Sequence, residues 1–169
     1  MARQTSLRDF QRELAGRLAE ARAETTPHAR LGVQAGGRYW LLRLRDAGEV
    51  LPLPEVTPVP LTRPWFMGLA NIRGNLAGVV DFALFMGEPP VERSPDARLV
   101  LLAERFGAHS GLVVARMIGL RNVNDLQPEA LGAERPWIRA VFRDAEDKRW
   151  YELDVEALAA HADFLQAGI

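Results

Sequence analysis

The chain has 169 residues, 48% of them apolar and 25% charged, which fits one ordinary domain or two very small halves sharing a core and excludes a disordered chain. Lys and Arg number 21 against 22 Asp and Glu, a net charge of −1, so the basic surplus of a dedicated nucleic-acid binder is missing. There is no Cys, which removes disulfides, thiolate zinc sites and cysteine nucleophiles together.

No apolar run approaches the roughly 18–20 residues that span a bilayer. The first residues, MARQTSLRD from Met1 to Asp9, lack the apolar stretch of a secretory leader. The expectation is a cytoplasmic protein with no direct membrane insertion.

Residues 6–22 read as a helix. Ser6 is placed to cap it, Asp9 sits in the first turn where the dipole favours a carboxylate, and Leu7, Phe10, Leu14 and Leu18 share one face. Thr25, Thr26 and Pro27 end it. This stripe is expected to pack on the protein's own core, with a partner-binding helix as the alternative. Residues 1–30 are set apart as helix and linker.

From Leu31 the pattern turns to short strands. Leu31–Ala35 and Arg38–Leu44 flank Gly36-Gly37 as a hairpin, since glycine supplies positive φ at a tight turn. Glu49–Leu51 is a short strand running into Pro52, Pro54, Pro58 and Pro60, a density that suits an extended edge and forbids a central strand. Phe66–Ile72 and Asn75–Asp81 flank Arg73-Gly74 as a second hairpin. Phe82–Met86 is a helical turn closed by Gly87, and Glu88–Ala97, with three prolines, is a linker.

A second cluster follows: Arg98–Phe106, Ser110–Ala115 and Met117–Val123 as strands, then Asn124–Pro136 as loop. Trp137–Arg143 and Arg149–Asp154 flank the polar turn Asp144–Lys148. Val155–Leu165 is a terminal helix, with Val155, Leu158, Ala159 and Leu165 facing inward. The chain echoes itself. Trp65 opens a strand–turn–strand unit that ends at Asp81 before a helical turn, and Trp137 opens a unit of nearly equal length that ends at Asp154 before a helix. The expected fold is all-β with helical ends. Two small barrels, about 31–87 and about 97–154, are followed by a C-terminal helix over 155–169, and the halves share packing because each is too small for a core of its own.

The residues carry no catalytic pattern. His28, His109 and His161 have no metal-ligand spacing, Ser110 has no nucleophile elbow, and the glycines form no phosphate loop. Asp144, Glu146 and Asp147 read as a solvated turn. No enzyme activity and no cofactor are expected. Trp65, Phe66 and Trp137 fit base-stacking platforms or core and interface residues; without a basic surplus the second reading is preferred. A small-barrel nucleic-acid or ribosome-associated binder stays as the alternative function.

Residues 64–87, PWFMGLANIRGNLAGVVDFALFMG, resemble the signature of the CheW-like family, the adaptor proteins of bacterial chemosensory arrays. The matching positions are Trp65, Gly68, Asn71, Arg73, Gly74, Asp81 and Gly87. The segment from Glu49 to Pro60, Ser110–Val114 and Tyr151–Asp154 also fit, so the likeness covers roughly residues 31–160. The sequence departs from the pattern at Gly78, where a Pro is usual, at Ala115-Arg116 in place of Val-Asp, and at Ala140, where a Gly is expected. The N-terminal helix and the form LANIRG resemble the PilI-like branch of type IV pilus and twitching-motility systems.

The resemblance implies two SH3-like five-stranded barrels without an active site. It also implies a scaffold that joins a CheA-like histidine kinase to a methyl-accepting chemoreceptor, recruited to arrays at the inner membrane. The partner-binding candidates are Glu49, Trp65, Asn71, Arg73 and Gly74. Arg73 lies at a hairpin tip and Glu49 at the head of the strand entering the proline run. An Arg73–Glu49 ion pair on the receptor-facing surface is expected; in the alternative, Arg73 caps carbonyls of its own turn.

Overall fold

Alternation builds the first hairpin. Leu31, Val33 and Ala35 of β1 (Ala29–Ala35) are buried, as are Trp40 and Leu42 of β2 (Arg38–Arg43), and the register sets Val33 opposite Trp40 and Leu31 opposite Leu42. Of the two turn glycines, Gly36 carries the positive φ, 60°. The structure, a computed structural model, describes Leu14, Ala15 and residues 27–169. Leu14 is helical and exposed; the rest of the expected N-terminal helix, with Leu7, Phe10 and Leu18, lies outside the described residues.

The remaining elements follow in order. A 3-10 turn at Leu44–Asp46 leads into β3 (Ala47–Pro52), then β4 (Phe66–Ile72), β5 (Asn75–Asp81) and the helical turn α1 (Phe82–Phe85). Next come β6 (Arg98–Leu102), a 3-10 turn at Glu104–Phe106, β7 (Ser110–Val114), β8 (Arg116–Asn122) and a 3-10 turn at Val123–Asp125. β9 (Gln127–Glu129), β10 (Ile138–Arg143), β11 (Arg149–Leu153), α2 (Val155–Ala160) and α3 (Ala162–Leu165) complete the chain.

The strands form two sheets, a six-stranded one ordered β8-β1-β2-β11-β10-β9 and a five-stranded one ordered β3-β6-β7-β5-β4. The fold is mostly β with short helices at its C-terminal end, but the sheets do not follow the expected boundaries at 31–87 and 97–154. Each sheet joins the opening hairpin of one half to the closing hairpin of the other, through parallel pairs of β2 with β11 and of β5 with β7. A half alone would leave those hairpin edges unpaired, and exchanging hairpins covers them. The chain changes sheets at Leu44–Asp46 and at Ala115, whose N–H donates to the Gln34 carbonyl at 2.7 Å.

One sheet has six strands because Gln127–Glu129, inside the expected loop, pairs with Val141–Arg143. Three residues with a proline among them carry no periodicity that sequence could show. The expected strand Arg98–Phe106 likewise stops at Leu102, where the chain tightens into the 3-10 turn.

One buried cluster runs through both sheets and the terminal helices. It brings Val33, Trp40 and Leu42 together with Val80, Phe82, Val100, Leu112 and Val114, and with Trp137, Leu153 and Leu158. This is the packing shared by halves too small to stand alone. A second, smaller cluster of Ala70, Val79, Leu99 and Val113 fills the five-stranded sheet, lined by Leu51, Leu53 and Val56 from β3 and the proline run. β3 and β4 are the two edges of that sheet, yet Thr57, just past β3, exchanges both backbone hydrogen bonds with Leu69 of β4 at 2.8 and 2.9 Å. The sheet therefore curls until its edges meet around this cluster.

The internal echo is a structural repeat. The Asp81 N–H donates to the Trp65 carbonyl at 2.8 Å, and the Asp154 N–H to the Trp137 carbonyl at 2.7 Å. Each aspartate then caps the helix it precedes, accepting from Leu84 N and Ala157 N at 3.0 Å. Each hairpin also carries a bulge near its start, between Phe66 and Gly68 and between Ile138 and Ala140.

The single terminal helix expected over 155–165 is two short ones. His161 is extended (φ −78°, ψ 137°), and its Nδ1 accepts the Asp163 N–H at 3.2 Å. That break rotates Phe164 into the core, where Leu165 was expected, and leaves Leu165 exposed. The chain end then pairs back on residues 61–63, with Arg63 N donating to Ala167 O at 2.7 Å.

Candidate functional site

The tip of the β4–β5 hairpin follows from its residues. Arg73 (φ 52°) and Gly74 (φ 85°) both take positive φ, the requirement of the two-residue turn whose twist matches paired strands. A Cβ at Gly74 would meet nothing, so the glycine is there for its backbone angle. Asn71 Oδ1 accepts the Gly74 N–H at 2.8 Å and fixes the turn from below. Arg73 Nη2 donates to Glu49 Oε1, joining the two edges of the curled sheet.

The pair is on the surface: the Arg73 side chain is 73% exposed and that of Glu49 25%. Its contribution to stability is therefore no more than about 1 kcal/mol, and its effect is orientation. Glu49, Asn71, Arg73 and Gly74 thus share one site. Beside them Leu76, opposite Asn71 in the ladder, is 65% exposed. Leu76 has the strand phase of the buried Val80 but lies beyond the end of the core. The alternation showed the phase; where the core stops was not visible in it.

Trp65 does not belong to this site. It lies at the other end of β4, roughly 25 Å away at about 3.3 Å per residue. Its ring meets Phe85 edge-on at 5.0 Å and stacks on Phe164 at 6.4 Å, so it fastens the last helix, α3, to α1. Trp137 is 1% exposed, with Nε1 donating to Met86 Sδ at 3.2 Å, and is no stacking platform for a base.

The tip of the second unit is built differently. Asp144 Oδ1 accepts the Glu146 and Lys148 N–H groups at 2.9 Å each, and Oδ2 accepts Trp150 Nε1 at 3.0 Å. The Trp150 bond, together with those backbone donors, holds the Asp144 carboxyl below the usual range against the opposing effect of burial. At Asp154, burial is the largest influence and pushes the carboxyl up, but the Ala157 N–H and the Arg139 guanidinium outweigh it and the carboxyl is held low. Arg143 bonds Glu129 at 2.5 Å and Asp147 at 2.9 Å; it lowers the Glu129 carboxyl, and its own pKa is raised in return. Ser110 Oγ donates to the Ala108 carbonyl at 2.7 Å, an ordinary local turn. Among the described residues no three carboxylates or histidines are grouped to hold a metal, and no helix is long and apolar enough to cross a membrane.

The profile of the CheW-like domain matches residues 30–163. The chain belongs to the CheW-like family. It is 30% identical over 165 residues to Protein PilI of Pseudomonas aeruginosa, covering 94% of this chain and 90% of that protein. It is 23% identical over 136 residues to Chemotaxis protein CheV3 of Helicobacter pylori, of which the match spans 44%. In structure it resembles the scaffolding protein TtCheW from Thermoanaerobacter tengcongensis, with a TM-score of 0.61 at 18% identity, over 75% of this chain and 88% of that one.

Residues of the CheW-like signature carry backbone roles here. Gly68 (φ 138°) sits where a Cβ would lie 2.1 Å from the Thr57 carbonyl oxygen, so only glycine lets the segment after β3 pair with β4. Gly87 (φ 83°) ends α1, and Asp81 caps it. Gly78, where the family commonly has Pro, donates its N–H to the His109 carbonyl at 2.8 Å, a bond a proline would lack.

Proposed function

We propose that this CheW-like domain is a non-catalytic adaptor. It couples a methyl-accepting chemoreceptor to a CheA-like histidine kinase on the cytoplasmic side of the membrane, in a type IV pilus or chemotaxis signalling system. The observation that carries the reading is the Arg73 guanidinium, held by Glu49 on a turn locked by Asn71 and flanked by exposed Leu76. A fixed cation beside an apolar side chain suits recognition of a partner helix or strand, with binding energy in a small patch. An adaptor of this kind acts by contacting one kinase state better than the other, which needs surface and no chemistry. Membership of the CheW-like family and the similarity to PilI over nearly the whole chain support the class of partner. The nucleic-acid alternative is disfavoured by the net charge of −1 and by a buried Trp137.

The test uses the full chain with the regulatory region of its cognate kinase and the cytoplasmic tip of its receptor. A complex burying about 1,000–1,600 Å² is expected with the kinase. Arg73→Ala should fold normally, keep kinase capture and lose receptor-dependent control of phosphorylation. No complex by calorimetry and pull-down, or full receptor control in Arg73→Ala, would defeat the reading.

A further inference from the structure

At the crossing between β2 and β3 lies a cleft of about 310 Å³ walled by Arg43, Arg45, Arg105 and Arg139, with Asp46 and Glu156 as its carboxylates. We propose that this cleft binds a small, multiply charged oxyanion of the phosphate class. The proposal is independent of the adaptor reading.

Three observations carry it. First, four guanidinium groups line the cleft with two carboxylates; Asp46 accepts from Arg105 Nη2 and lies 3.9 Å from Arg45 Nε, while Arg43 and Arg139 reach Glu152 and Asp154 behind the lining at 3.5 and 3.1 Å. Second, two of the guanidinium groups hold a buried nitrogen with no hydrogen-bond partner among the described residues, Arg43 Nε and Arg139 Nη1. Buried donors without protein acceptors are rare in folded proteins, and each calls for an acceptor such as a water or an ion. The reason Arg43 is unsatisfied is visible: Glu152 Oε1, 3.5 Å from its Nε, is taken by Arg30 Nε at 2.5 Å. Arg139 likewise uses Nη2 on Asp154 at 3.1 Å and leaves Nη1 over. Third, the walls are held in place. Arg105 donates to the Arg45 carbonyl and to Asp46 and lies 4.3 Å over the Phe106 ring, so little side-chain freedom is left to lose on binding.

Planar guanidinium forks match phosphate oxygens. A water could satisfy either orphaned nitrogen singly, whereas one multivalent oxyanion accepts from several guanidinium groups at once. Both nitrogens are buried, which disfavours a short carboxylate on a partner's surface as their acceptor. A second basic cleft of the same volume, lined by Arg38, Arg143, Lys148 and Arg149, lacks these features. Its cations are paired as well, with Glu88, Glu129 and Glu146, and none of them holds an orphaned buried nitrogen.

The experiment titrates pyrophosphate into the full chain by calorimetry at about 0.15 M salt, with ³¹P line broadening as a second readout. One site with a Kd below ~1 mM is expected. Arg139→Gln should weaken it about tenfold or more, the loss of a charge-assisted bond. Arg45→Gln, whose exposed side chain leaves folding untouched, should weaken it about threefold or more through charge alone. Arg149→Gln in the second cleft should change nothing. The proposal is overturned by no binding to the wild-type chain, by equal binding to Arg45→Gln, or by a polyglutamate peptide binding where pyrophosphate does not.

Discussion

The units Trp65–Asp81 and Trp137–Asp154 share a frame and differ at their tips. Both open on a tryptophan whose carbonyl takes the N–H of the closing aspartate, both carry an early bulge, and both aspartates cap a helix. The first tip is minimal and finds its charge partner far along the chain, Arg73 on Glu49. The second is wider and satisfies itself, with Asp144 accepting from Glu146, Lys148 and Trp150. The frame is what folding requires of either unit. A tip that completes its own hydrogen bonding has less to offer a partner than one that holds an arginine out on a rigid turn.

The largest difference should appear at the bulges. Gly68→Ala puts a Cβ into the Thr57 carbonyl at positive φ and should destabilise by about 3 kcal/mol or more or abolish folding. The matching position of the second unit is Ala140, which already carries a Cβ, and Ala140→Gly should cost no more than about 1 kcal/mol. Chemical denaturation of the two variants measures the asymmetry, and equal losses would break the comparison.

Next come the caps. Asp81 is buried and its second oxygen also accepts Val91 N–H at 2.9 Å, tying the proline linker to the sheet. Asp81→Ala should cost about 2–3 kcal/mol, the cap plus a stranded donor, and Asp154→Ala about 1 kcal/mol. Thermal melts should rank them in that order.

Acid sharpens the contrast from the other side. Asp144 and Asp154 hold their protons less readily folded than unfolded, so the stability they add is complete above the unfolded value of about 3.9 and is lost as pH falls through their lower folded values. Melting temperature should therefore decline below about pH 4, and Asp144→Asn should flatten that decline. An unchanged slope in Asp144→Asn would assign the acid response elsewhere.

The smallest effect on stability belongs to the Arg73 tip. A double-mutant cycle of Arg73→Ala and Glu49→Ala should give a coupling of about 0–1 kcal/mol by denaturation. A larger value would make the pair a structural clasp on the curled sheet.

Much of this architecture was legible in order along the chain. The hairpin at Arg73-Gly74, the helical turn ended by Gly87, the shared core of two small halves and the pairing of Arg73 with Glu49 all follow from turn chemistry, strand alternation and charge. Turn chemistry and charge bring Glu49, Asn71, Arg73 and Gly74 together at one hairpin tip. Trp65, the remaining partner-binding candidate, stands at the opposite end of β4, and Leu76 differs from Val80 only by lying past the edge of the core, which alternation does not show.

By itself the sequence determined what short-range sterics and period-two alternation control: where most strands begin and where the chain turns. The tertiary structure decided which half lends its hairpin to which sheet, that three residues around Pro128 become a strand, and that His161 breaks the last helix so Phe164 can reach Trp65. It also decided that four arginines distant in sequence share one cleft. Those outcomes depend on what lies across the pairing edge or the core, and a strand's own pattern is the same whichever neighbour covers it.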